Sequence, residues 1–147
     1  MEKITNSAII YENIYFKLYL SGENLDNVYV ISQPKEMQEK YDSNDVLSHE
    51  KKIKLVDELM EYFYNYWMLI KNTNDTKMYT LNIDLNLIMI NIPIHYYLKI
   101  KQLLDSLKSV IETNLTETYF KVTNPLAKYF LDLVLTLYKP VKPIHII

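Results

Sequence analysis

Asp84 and Asn86 follow one β-rich run, and Thr123 and Asn124 follow the next. In an open α/β sheet, ligands gather outside the carboxyl ends of parallel strands, where a carboxylate, an amide and a hydroxyl can hydrogen-bond a ligand's polar end. The plainer account is that Asp84 and Asn124 satisfy backbone groups of a loop and a helix start, as Asx side chains do. His49, His95 and His145 lie far apart and none has a partner at i+4, so no metal-ligand spacing is present. Glu58 and Glu61 are one helical turn apart and could share a proton, but they fall on a polar helix face and read as solvated. The single glycine, Gly22, excludes glycine-rich phosphate loops and the nucleophile elbow. The absence of cysteine excludes disulfides, thiolate zinc and cysteine nucleophiles. All 16 basic residues are lysine, which excludes bidentate guanidinium clamps. A non-enzymatic protein without cofactor or metal is therefore expected, with acid–base chemistry by a pKa-shifted Asp and a neighbouring Tyr as the residual enzymatic route.

Those residues need a scaffold, and the chain is long enough for one. Its 147 residues, 49% hydrophobic and 23% charged, suit a single domain over 1–147 with a sizeable core. A net charge of −2 gives no electrostatic footprint for nucleic acid, which is not expected as a partner. No segment resembles a signal peptide and no apolar run is long enough to span a bilayer, so a soluble, intracellular, cytoplasmic protein is expected.

The patterning predicts a strand over Ala8–Leu20, a turn at Ser21-Gly22-Glu23-Asn24, and a second strand over Val28–Ser32. Gln33–Val46 reads as a loop. A helix capped by Ser48 places Ile53, Val56, Leu59, Met60, Phe63, Trp67 and Ile70 on one face. Met78–Leu85 alternates as a strand, and a second helix runs from past Pro93 to about Thr113. Thr118–Thr123 is a strand, Pro125–Leu137 a third helix, and Ile144–Ile147 a closing strand. The order β-β-α-β-α-β-α-β demands crossovers, so the fold class is α/β with a mixed, mostly parallel sheet flanked by helices.

The third helix is apolar well beyond one stripe. Leu126, Phe130, Leu133, Val134 and Leu137 make one face, and Leu131, Leu135 and Tyr138 broaden it. Such an arc needs a second partner, either core or a ligand cavity or dimer face. Tyr129, Leu133 and Leu137 are the candidates for an apolar lining. The run Tyr62, Phe63, Tyr64, Tyr66 and Trp67 could stack bases or hold a lipid tail, and without a basic patch the base-stacking reading is the weaker.

Val28-Tyr29-Val30-Ile31, the helix of Val56 to Ile70, Ile83-Asp84-Leu85-Asn86, Val122-Thr123-Asn124-Pro125 and Lys139-Pro140 together resemble the CRAL-TRIO lipid-binding domain over about 28–147. The resemblance implies a hydrophobic lipid held between sheet and a gate helix, exchanged in transient contact with membranes. Only Val141-Lys142-Pro143 stands where that family has a longer gate segment. Ile83-Asp84-Leu85-Asn86 before a helix is also similar to the STAS domain, which implies a protein-interaction role. The serine that STAS antagonists phosphorylate has no counterpart in Asn91-Ile92-Pro93-Ile94-His95. The expected partners are thus a lipid or other hydrophobic ligand, or alternatively a protein partner or second copy.

Overall fold

The computed structural model describes residues 6–34, 36–37, 49–84, 95–123 and 125–147. It is an α/β fold with one six-stranded mixed sheet. In chain order the elements are β1 (Ser7–Glu12), β2 (Phe16–Ser21), β3 (Asn27–Ser32), α1 (His49–Asn72), β4 (Tyr79–Asp84), α2 (His95–Ser106), α3 (Lys108–Asn114), β5 (Leu115–Lys121), α4 (Pro125–Leu137) and β6 (Ile144–Ile146).

The single strand expected over Ala8–Leu20 is two. Asn13 breaks it, because its side-chain Oδ1 accepts from the backbone N–H of both Tyr15 and Phe16 at 2.8 Å, folding the run into a hairpin. Tyr15 and Phe16 then enter the core at 2% exposure each, so burial and turn chemistry agree. The helix expected as far as Thr113 is also divided. Leu107 interrupts it with φ −95° and ψ 4°, and its N–H is shared between the carbonyls of Leu103 and Leu104. Leu107 is fully buried, and the bend lets α3 turn back toward the sheet. The Ser48 cap and most of the Gln33–Val46 loop lie outside the described residues.

The strands are arranged in sequence order, β1 to β6. β1–β2 and β2–β3 pair antiparallel, whereas β3–β4, β4–β5 and β5–β6 pair parallel. The antiparallel part is therefore larger than a mixed edge. Three successive crossovers between adjacent parallel strands share one hand, which puts their helices on one side. The core follows from this. Phe16, Leu18, Val28, Val30, Tyr79, Leu81 and Leu115 from the sheet meet Val56, Leu59, Trp67, Ile70, Val110 and Ile111 from the helices. Helices flank one face only among the described residues, not both.

The opposite face carries an in-register row across all six strands: Ile9, Tyr19, Tyr29, Asn82, Tyr119 and His145. Tyr19 stacks on Tyr29 at 4.9 Å, and Tyr119 on His145 at 4.9 Å. None of these six residues is buried.

Where α1 and α3 hand over to β4 and β5, Asn114 ties the two together. It is 2% exposed, and its Nδ2 donates to the carbonyls of Asp75 at 2.6 Å and Lys77 at 3.0 Å. Asn114→Ala leaves two carbonyls short of a donor and should cost about 1–3 kcal/mol. Urea unfolding of that variant with an unchanged midpoint would refute the role.

Candidate functional site: an apolar cavity between sheet and helices

The helix layer does not close completely on the sheet. A cavity of about 190 Å³ lies between them, and its walls can be traced to the periodicity of each element. In α1, Leu59, Phe63 and Trp67 share a face by i, i+4 and i+8 spacing, and Met60 joins them at i−3 from Phe63. Ile100, Leu103 and Leu104 of α2 and Leu107 and Ile111 around the bend complete that side. The floor is the helix-facing set of alternating strand positions, namely Val30, Leu81, Ile83, Thr118 and Phe120. Leu131, Val134, Leu135 and Tyr138 of α4 form the last wall, and the strap Pro140-Val141-Lys142 leads past it to Ile144. Val141 lines the cavity and is yet 37% exposed, which puts the mouth at this strap.

The lining is almost wholly hydrocarbon. Its polar groups are Thr118, Trp67, Tyr138 and Lys142. Burial, with the carboxylates of Asp105 and Glu112 adding to it, pushes the Tyr138 hydroxyl up, so that it stays a neutral hydrogen-bonding group.

The described residues among those expected to form a site lie at the carboxyl ends of β4 and β5 and along α4. Asp84 ends β4 on the helix-free face, opposite Ile31 and Lys121 in register, and Thr123 is exposed beyond β5. Both have interaction partners. Asn86 and Asn124 lie outside the described residues. Tyr129 is 60% exposed, Leu137 37% and Leu133 half-buried, and the α4 wall of the cavity is made by the neighbouring arc instead. Glu58 does not face Glu61 for proton sharing: its Oε2 accepts from the Tyr11 hydroxyl at 2.6 Å. Burial first, and that bond second, push the Tyr11 hydroxyl up to about 12. Among the described residues no three His, Asp or Glu side chains converge on a metal position, and no helix is long and apolar enough to cross a membrane.

A polar cluster occupies the edge of the helix-free face. Glu117 accepts from the Tyr119 hydroxyl at 2.6 Å, and its other oxygen lies 3.0 Å from His145 Nε2, which fastens edge strand β6 to β5. Tyr119 first, and His145 second, hold the Glu117 carboxyl below its ordinary value of 4.5. A carboxyl depressed on folding stabilises the fold above its unfolded value, and that contribution is lost as pH falls through the folded one. Urea midpoints followed from pH 7 downward should therefore drop more steeply below pH 4.5 in the parent than in Glu117→Gln. Parallel acid limbs would show that the cluster does not act in this way.

Comparison of the chain with protein-family models, with curated proteins and with solved structures gives no match. The geometry itself carries the functional reading.

Proposed function

We propose that this chain is a non-enzymatic binding domain that takes a hydrophobic ligand into the cavity between its sheet and its helix layer, as its resemblance to CRAL-TRIO domains leads one to expect. The observation that carries the proposal is the cavity's composition: a lining almost wholly of hydrocarbon that reaches solvent at the strap of Val141. Its volume of about 190 Å³ sets the ligand's size. An apolar cavity of ~150 Å³ accommodates benzene, so this one takes a ring or a chain of about six to eight carbons, or that much of a longer lipid. Burying this many carbons at ~0.8 kcal/mol each gives about 5–6 kcal/mol, near the 0.1 mM range before other contacts.

Native mass spectrometry before and after incubation with mixed-lipid vesicles tests the proposal. A stoichiometric adduct that is lost on denaturation supports it. A bare mass under both conditions, together with no uptake of small apolar compounds, removes it.

The helix-free face favours a second reading, a protein-interaction module of the STAS kind. Its row of paired rings beside Asn82, whose Nδ2 is buried without a hydrogen-bond partner, is a surface suited to a partner. Substituting Tyr29 and Tyr119 by Ser discriminates the two readings. Ligand uptake survives under the first, and association with a partner or second copy is lost under the second.

A further inference from the structure

We infer that the cavity's ligand carries a single anionic head, a carboxylate, and that Lys142 is the residue that selects it. The inference rests on the hydrophobic-ligand reading and adds the chemistry of the ligand's other end. Lys142 is the one charged side chain in the described lining, and no carboxylate shares that lining with it. It sits on the strap at the mouth, next to Val141, half-buried where its neighbour is exposed. A lysine in this position lays its methylene stem along the apolar wall and holds its ammonium at the water boundary.

The ammonium is also uncommitted among the described residues. Among the described residues Lys142 has no ion pair and no hydrogen bond, while the other charges of this region are engaged or face elsewhere. Asp105 pairs with Lys101 at 2.7 Å, and neither Asp105 nor Glu112 lines the cavity although both lie near enough to act on Tyr138. An unpaired cation at the rim of a hydrocarbon pocket favours an amphiphile with opposite charge at its exposed end. One ammonium matches one negative charge. A phosphate monoester would present more charge than a single lysine offsets, and the chain has no arginine to grip it. An eight-carbon chain, whose tail fills the cavity and whose head emerges at the strap, fits both constraints.

The test compares octanoate, octan-1-ol and octylamine, each below its aggregation limit, by calorimetry with the full chain and with Lys142→Met, which keeps the apolar stem. Octanoate should bind about fivefold more tightly than octan-1-ol, because the pair is only partly shielded from water, and octylamine most weakly. In Lys142→Met the octanoate preference should vanish, the ratio of the octanoate to the octan-1-ol affinity falling to one or below. Raising NaCl to about 0.5 M should reproduce this loss in the parent chain, so the result does not depend on how well the variant folds. Equal affinities for octanoate and octan-1-ol in the parent, or a preference that survives both the substitution and the salt, overturn the role of Lys142 and leave the cavity intact. Failure of all three compounds to bind overturns the cavity reading itself.

Discussion

Trp67→Ala should cost about 3–5 kcal/mol, a large share of the roughly 5–15 kcal/mol that holds a domain folded. Trp67 is 1% exposed and lies with its ring edge-on to Phe63 at 6.1 Å, Tyr66 at 5.9 Å and Tyr79 at 5.8 Å. It is therefore the point where α1 is locked to the sheet. Its loss also reaches the turn after α1. Tyr79 donates to Asp75 Oδ2 at 3.0 Å, and burial together with Tyr66 and Asp75 keeps that hydroxyl neutral by pushing it well up. Truncating Trp67 opens one side of this network as well as enlarging the cavity. Trp67→Phe, which retains an aromatic edge, should lose distinctly less. Urea unfolding that shows a loss under about 1 kcal/mol for Trp67→Ala would mean that α1 is held elsewhere.

Leu135→Phe should have the opposite sign to the usual enlargement of a core side chain. Adding bulk to a well-packed interior costs about 1–3 kcal/mol, and Leu18→Phe, at a position with no exposure and no part in the cavity wall, should show that cost. Leu135 faces the cavity, so the larger ring enters empty space and the melting temperature should hold or rise. The same ring occupies the ligand's volume, and uptake of a six- to eight-carbon compound should fall at least tenfold. Equal destabilisation of the two variants would show that there is no space beside Leu135 to fill.

These expectations concern side chains that hydrophobic patterning only partly identifies. In α1 the residues read from the periodicity as one face, including Leu59, Phe63 and Trp67, do pack toward the sheet. The alternation in β4 likewise separates Tyr79, Leu81 and Ile83 from Thr80, Asn82 and Asp84 correctly. In α4 the pattern is undecided. Lys128, Asp132 and Thr136 form a polar stripe, and at 100° per residue two apolar arcs lie about 75° to either side of its antipode. One arc holds Tyr129, Leu133 and Leu137; the other holds Leu131, Val134, Leu135 and Tyr138, and it is the second that lines the cavity. Packing of α4 against α2 makes that choice, and no local property of the helix encodes it.

The breaks were illegible for related reasons. Asn13 sits in a run of β-formers whose alternation continues through it, and only its two side-chain bonds to the backbone reveal the hairpin. Leu107 is an ordinary helix former, and the break there accompanies its complete burial in the core. The face that carries no helix among the described residues could have been foreseen. Strands joined in sequence by crossovers of one hand leave one side without helices, and Tyr19, Tyr29, Asn82 and Tyr119 all fall on alternate positions that point there.

The most direct measurement uses Trp67 itself, the chain's single tryptophan and part of the cavity wall. Bromobenzene is of a size to enter the cavity, and its heavy atom would quench an indole it touches. Blue-shifted emission from the free protein is expected, with quenching that follows a saturable single-site isotherm and loss of that saturable phase in Leu135→Phe. Quenching that rises only linearly with bromobenzene, alike in parent and Leu135→Phe, would contradict it.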